Sequence, residues 1–143
     1  MKRLLFFFVI CSSVVFNSCS VNNDTFLQVA CGNPVVIDNA AFASTVVANY
    51  TIKGVSISEN CLTITITSSG CSGNTWEASL VDSGEQTNGL PPQRFLKLVL
   101  TNNESCLSVF ERSFTFDISS IRSQQSEVIL LNIRGWDSQI VLN

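Results

Sequence analysis

The chain has 143 residues, a formal net charge of −3 and no histidine. A nucleic-acid partner is excluded because the basic residues are few and scattered, whereas phosphate binding requires a basic face. Without histidine, Ser-His-Asp and Cys-His catalysis and the usual zinc, copper and non-haem iron sites are also excluded. We therefore predict no metal and no cofactor.

An export signal is predicted at residues 1–18. Lys2 and Arg3 form a positive segment, and an apolar run from Leu4 to Ile10 follows before Cys11 interrupts it. This layout is typical of a secretory signal peptide. A membrane-spanning helix needs about 20 consecutive apolar residues, and this run is shorter. We therefore expect the functional domain to lie outside the cytoplasm.

The end of the apolar stretch, Phe16-Asn17-Ser18-Cys19-Ser20, resembles the lipobox of bacterial lipoproteins. The resemblance implies that Cys19 is lipid-modified, with residues 19–26 as a lipidated tether and residues 27–143 as a single domain. Acyl chains stabilise such an anchor by about 0.8 kcal/mol per buried CH₂ group. The expected location is the cell envelope, anchored to the outer membrane. The alternatives are a periplasmic or secreted protein cleaved near Ser18, or an uncleaved anchor.

The first predicted elements of the domain are a short helix and a strand. Asp38 and Asn39 resemble a helix cap, and the helix is expected over Ala40–Ala48. The strand is expected over Tyr50–Ile57. Its apolar face changes at Gly54, which predicts a β-bulge there.

The strongest strand signal follows at Leu62–Thr67, where apolar residues alternate with threonines. After a turn cluster of serine, glycine and asparagine, Trp76, Ala78 and Leu80 continue a period of two. The two segments are predicted to form a hairpin. The next connection, Asp82–Gln93, is long, and we expect it to cross between sheets or to have a function.

The remaining predicted elements are four strands and a second short helix. The helix is expected over Cys106–Arg112. Val128–Leu131 is apolar on both faces, so its strand is placed in the interior of a sheet. The strands are expected at Phe95–Leu100, Phe114–Ile118, Val128–Ile133 and Gln139–Leu142.

Together these elements predict an all-β domain with about seven to eight short strands. The pattern favours an immunoglobulin-like β-sandwich, with a small β-barrel as the alternative. The four cysteines of the domain, Cys31, Cys61, Cys71 and Cys106, are predicted to form disulfides because the compartment is oxidising. A strand between Cys61 and Cys71 separates them by roughly 20 Å, too far for a bridge. This leaves Cys31–Cys61 with Cys71–Cys106, which we favour, or the crossed pairing.

Two longer runs carry a family resemblance. Residues 60–83, with Asn60-Cys61-Leu62, Ser69-Gly70-Cys71 and Trp76 to Ser83, are similar to small uncharacterised lipoproteins of the Bacteroidota. Residues 90–98, Phe114 to Ser119 and Gly135-Trp136 are similar to the same group. The resemblance implies export and anchoring, and it implies no particular activity.

The candidate ligand-binding residues are Trp136, Trp76, Arg94 and Asp137. Tryptophans can stack on sugar rings, and the two charged side chains can hydrogen-bond sugar hydroxyls. Trp76 also shares its face with Ala78 and Leu80, which favours a place in the core. No residue is predicted to be catalytic. The only remaining acid/base scheme is a pair of carboxylates drawn from Glu77, Asp82, Asp117 and Asp137.

The predicted function is that of a noncatalytic, lipid-anchored envelope protein that acts as a binding or structural accessory. The first alternative is a carbohydrate-binding module, which the two tryptophans favour. The second is a small glycan-active enzyme that uses two carboxylates. The expected partners are the membrane, through the lipid anchor, and a glycan or an envelope protein.

Overall fold

A computed structural model describes residues 31–44, 49–122 and 128–143. The predicted signal and tether lie outside these ranges. The described strands form two mixed sheets rather than one closed barrel, which confirms the β-sandwich. The four-stranded sheet has the order β1-β7-β4-β3, and the five-stranded sheet has the order β2-β5-β6-β8-β9. The elements are β1 (Asn33–Pro34), β2 (Val36–Ile37), α1 (Asn39–Ala43), β3 (Tyr50–Ser58), β4 (Cys61–Gly70), β5 (Glu77–Gln86), β6 (Gln93–Thr101), β7 (Ser108–Asp117), β8 (Ile129–Ile133) and β9 (Ile140–Leu142).

The core lies between the sheets and follows the period-two pattern. Leu62, Ile64 and Ile66 of β4 are fully buried against residues of the other sheet, such as Leu80 and Leu98. The intervening threonines of β4 point outward and hydrogen-bond to hydroxyls of β7. Alternation therefore placed the apolar face of β4 correctly, because successive side chains of a strand point to opposite sides.

The predicted hairpin between the second and third strands is wrong. β4 pairs with β3 and β7 on its two edges, so no edge remains for β5. The chain crosses to the other sheet through residues 71–76, and Trp76 packs against Gly70 on the way. The expected crossing at Asp82–Gln93 is also wrong. β5 continues to Gln86, and residues 87–92 connect it to its neighbour β6.

The predicted helix over Cys106–Arg112 is wrong as well. From Ser108 onward the chain forms β7, whose ten residues pair with all ten residues of β4. Ten cross-strand pairs in the interior of a sheet outweigh a weak local helix preference. The bulge at Gly54 is confirmed by a register shift between Ile52 and Gly54 against β4. β8 lies between β6 and β9, as expected for its apolar strand.

The first predicted helix exists but is shorter, and ends at Ala43. Asp38 caps it by accepting a hydrogen bond from the amide of Ala41 at 3.0 Å. The hydroxyl of Ser44 donates to the carbonyl of Ala41, and residues 45–48 lie outside the described ranges. Within the described ranges, no helix has the length and the apolar content to cross a membrane.

Both favoured disulfides are present. Cys31 bonds to Cys61 with a Cα–Cα distance of 5.2 Å, and Cys71 bonds to Cys106 with a distance of 4.8 Å. Cys61 begins β4, and Cys71 follows its last residue. The strand separates them, as the spacing predicted.

Candidate functional site

The four predicted ligand-binding residues do not form one site. Trp76 is only 5% exposed, so its ring is not available for stacking on a sugar. Trp76 also lies far from Arg94. It precedes Glu77, which pairs with Thr101 of β6, and Thr101 is seven residues, or about 23 Å, along that strand from Arg94. Trp136 is half-buried and packs against the core, and Asp137 is exposed in the turn after it.

Arg94 is engaged in a structural ion pair. Its Nε donates to Oδ2 of Asp82 and its Nη2 donates to Oδ1, both at 2.8 Å. Asp82 is completely buried, and the amide of Gly84 donates to it at 2.6 Å. This two-point contact orients the guanidinium toward the carboxylate. The prediction that Arg94 serves a ligand is therefore not supported by its contacts.

The candidate carboxylates occupy different surfaces. Glu77 is exposed on the outer face of the five-stranded sheet, whereas Asp82 points into the interior next to Leu96, its partner in register. Asp117 lies at the end of β7 in the other sheet and accepts a hydrogen bond from the amide of Ser119. No two of these three side chains therefore form a carboxylate pair. No group of three or more potential metal ligands occurs within the part of the chain that the structure describes.

A groove of about 500 Å³ lies on the outer face of the five-stranded sheet, beside α1. We call it the sheet-face groove. Its main side chains come from α1, β5, β6, β8 and the residue after β8. They are Asn39, Phe42, Glu85, Phe95, Asn132 and Arg134.

The wall that α1 forms is held in place by Lys97. This lysine alternates with the core residues Leu96 and Leu98, so it points outward from β6 and is buried beneath the helix. Its Nζ donates to the carbonyls of Ala41, Phe42 and Ser44 at 2.7, 3.0 and 2.8 Å. The last carbonyls of a helix lack partners within the helix, and a cation satisfies them well. Burial lowers the pKa of Lys97, and the positive charge of Arg134 lowers it further.

Phe42 and Arg134 form one end of the groove. The guanidinium carbon of Arg134 lies 4.8 Å from the centre of the Phe42 ring, within the range of a cation–π contact. Arg134 is exposed and has no carboxylate partner within residues 31–44, 49–122 and 128–143. At the other end, Nδ2 of Asn39 donates to Oε1 of Glu85 at 3.2 Å. The groove thus has an available cation on one side and an available carboxylate on the other.

A cluster of side-chain amides extends from the groove across β6 and β8. Nδ2 of Asn132 donates to Oε1 of Gln93 at 3.1 Å, and Nε2 of Gln139 donates to Oδ1 of Asn132 at 2.9 Å. Gln139 also donates to Gln93 at 3.1 Å. We call these three residues the amide cluster. Their mutual bonds hold the polar atoms in fixed positions beside the groove.

Sequence reasoning missed the sheet-face groove. A signal was present in β6, where Phe95 is a large aromatic residue in the outward phase of the strand. An aromatic residue in that phase departs from a polar outer face and indicates that another element covers part of the face, but it does not identify the element. Lys97, in the same phase, fits a polar outer face, so its burial could not be predicted from the pattern.

The backbone amides of the turn after β4 bind a carboxylate of the chain itself, that of Glu104. One oxygen of Glu104 accepts hydrogen bonds from the amides of Cys71, Ser72 and Gly73 at 2.5, 2.9 and 3.0 Å. Thr75 donates its hydroxyl to the other oxygen at 2.8 Å. Successive amides of this kind form an anion-binding concavity. These bonds hold the pKa of Glu104 well below its usual range.

No protein-family model matches the chain, and no curated protein matches its sequence. Two solved structures are similar to it. A protein from Parabacteroides distasonis ATCC 8503, provisionally described as toxin related, has a TM-score of 0.50 and 13% identity over 77% of this chain. A protein of unknown function, DUF1344, from Bacteroides vulgatus ATCC 8482 has a TM-score of 0.48 and 16% identity over 76% of this chain.

These likenesses concern the fold alone. The chain spans 58% of the length of the first protein and 55% of the second. At such low identity, neither carries a site or an activity over to this chain.

Proposed function

We propose that the protein is a noncatalytic, lipid-anchored recognition protein of the cell envelope, and that it holds its ligand in the sheet-face groove. The groove carries the proposal because it combines two half-buried aromatic rings with a few polar groups that have free hydrogen-bonding capacity. This composition is typical of ligand sites, in which apolar walls provide contact area and a few polar groups orient the ligand.

The anchor rests on the sequence. The apolar stretch before Cys19 and the lipobox resemblance favour a lipoprotein. The two disulfides of the domain are consistent with an oxidising compartment outside the cytoplasm.

The absence of catalysis is proposed from the polar groups of the groove. Its rim offers one carboxylate, on Glu85, and one guanidinium, on Arg134. General acid/base hydrolysis of glycans requires two carboxylates near one bond. These groups are better suited to binding than to turnover.

Metabolic labelling with a fatty-acid analogue tests the anchor. The wild-type protein is expected to become labelled and to fractionate with the envelope, and the Cys19→Ala variant is expected to do neither. An unlabelled wild-type protein would remove lipidation from the proposed function.

Nuclear magnetic resonance tests the groove. The isotopically labelled domain is mixed with fractions of the envelope from cells that make the protein naturally. We expect at least one fraction to shift the amide signals of Phe95 and Asn132. The signals of Thr65 and Thr115, on the outer face of the other sheet, serve as internal controls. Shifts confined to those controls, or no shifts with any fraction, would contradict the proposed site.

A further inference from the structure

We infer that the sheet-face groove binds an uncharged polysaccharide, with a sugar ring lying on Phe95 and the chain continuing over the amide cluster. This inference rests on the proposed function, because it identifies the ligand class of the same groove.

The aromatic rings supply the contact surface. Phe95 projects from β6 into the groove, and Phe42 faces it from α1. Both rings are half-buried, so each is held by packing. The guanidinium of Arg134 covers one face of Phe42, so the inference places the sugar on Phe95. The face of an aromatic ring is electron-rich. It therefore attracts the weakly positive C–H groups that cover one side of a pyranose ring.

The polar groups match hydroxyls better than they match an ion. A guanidinium only donates hydrogen bonds, a carboxylate only accepts them, and a side-chain amide does both. The groove contains one group of each of the first two kinds, Arg134 and Glu85, with the amide of Asn132 nearby. A sugar hydroxyl both donates and accepts, so adjacent hydroxyls can bond to Arg134, to Glu85 and to the remaining lone pair of Oδ1 of Asn132. The Nδ2 group of Asn132 already donates to Gln93 and to the carbonyl of Arg94.

Charge also opposes an ionic ligand. Lys97 is buried beneath α1, and its ammonium is fully occupied by backbone carbonyls. Among the described residues that line the groove, the accessible charged side chains are then Arg134 and Glu85. An anionic ligand would gain from Arg134 but would be repelled by Glu85, and a cationic ligand would meet the reverse.

The amide cluster indicates a polymer rather than a single sugar. It begins at Asn132 inside the groove and continues to Gln93 and Gln139 outside it. Among the described residues, Nε2 of Gln93 and Oε1 of Gln139 have no hydrogen-bond partner. One donor and one acceptor are thus available next to the groove, where a second sugar unit would lie.

Affinity gel electrophoresis tests the inference with the folded domain and two sets of probes. The uncharged set contains a glucan, a mannan and a xylan, and the acidic set contains alginate and polygalacturonate. Gels without any polysaccharide are the reference. We expect at least one uncharged polysaccharide to retard the wild-type domain. Phe95→Ala and Glu85→Gln are each expected to weaken the affinity for that polysaccharide about tenfold, which corresponds to one lost contact of about 1.4 kcal/mol.

Matched substitutions on the other sheet are the controls. Phe110→Ala removes a half-buried ring from β7, and Glu111→Gln neutralises an exposed carboxylate on the same strand. Both are expected to leave retardation unchanged. If Phe95→Ala proves unfolded by circular dichroism, Asn132→Ala replaces it as the groove variant.

Three results of the electrophoresis would overturn the inference. The first is that no uncharged polysaccharide retards the wild-type domain, and the second is that only the acidic set retards it. The third is that the groove variants are retarded as strongly as the wild-type domain. A fourth outcome would overturn the inference and leave the proposed function standing. In it the protein is fatty-acylated, and its groove signals shift with a protein fraction of the envelope and with no polysaccharide. Loss of labelling and of groove shifts would instead overturn the proposed function.

Discussion

Replacing Asp82 with alanine is expected to destabilise the domain by about 3–5 kcal/mol, the usual cost of breaking a buried ion pair. Asp82 is 0% exposed and the side chain of Arg94 is 12% exposed, so the guanidinium that remains would have little access to water. The variant also loses the hydrogen bond from the amide of Gly84. For a domain of this size, the melting temperature should fall by roughly 10–20 °C.

A double-mutant cycle separates the ion pair from the loss of packing. The single variants Arg94→Met and Asp82→Leu should each cost about as much as Asp82→Ala, since each leaves one buried charge without its partner. The double variant Asp82→Leu with Arg94→Met should be more stable than either single variant, because an apolar pair of similar volume needs no charge compensation.

Urea denaturation of the purified domain measures each free energy of unfolding, with Glu111→Ala as the surface control. That control should change stability by less than about 0.5 kcal/mol. A cost below about 1 kcal/mol for Asp82→Ala would refute the reasoning, since that is the value of a solvent-exposed pair.

Three further predictions concern the loops and α1. Joint replacement of Cys71 and Cys106 by serine removes a crosslink with a sequence separation of 35, and loop entropy predicts a loss of about 3.8 kcal/mol, measurable by urea denaturation. Glu104 has a lowered folded-state pKa, so its bonds stabilise the fold above the pKa of a free glutamate and are lost as pH falls toward the folded value. Glu104→Gln should therefore flatten the acid limb of a stability profile, whereas Glu111→Gln should leave it unchanged. Lys97→Met should speed hydrogen exchange of the amides in α1, and unchanged exchange would show that the lysine does not hold the helix.

Much of the fold could be read from local pattern. The threonine alternation in β4 identified both the strand and its buried face, since the side-chain period of a strand is two. Reach excluded one of the three possible disulfide pairings, because a strand between Cys61 and Cys71 prevents them from meeting. Two pairings remained, and the structure contains the favoured one. The bulge at Gly54 followed from a change of apolar phase. Each of these properties depends on a few neighbouring residues.

Strand pairing depended on the whole chain. The pattern of β4 and β5 is the same whether they form a hairpin or lie in different sheets. What separates them is the occupation of both edges of β4 by β3 and by β7, a strand that begins nearly forty residues later. The segment of β7 has a local pattern ambiguous enough to suggest a helix, and its ten pairs with β4 decide otherwise.

The sequence by itself determined the all-β character of the domain, the buried face of β4 and the separation of Cys61 from Cys71. The tertiary structure decided between the two remaining disulfide pairings. Only the tertiary structure decided that Arg94 faces Asp82 and that Phe42, Phe95 and Arg134 share a groove. Periodicity reports which side of a strand is apolar, whereas a site is made by residues that are distant in the chain and adjacent in space. That adjacency arises when sheets pair and a short helix packs on them, and no local pattern encodes it.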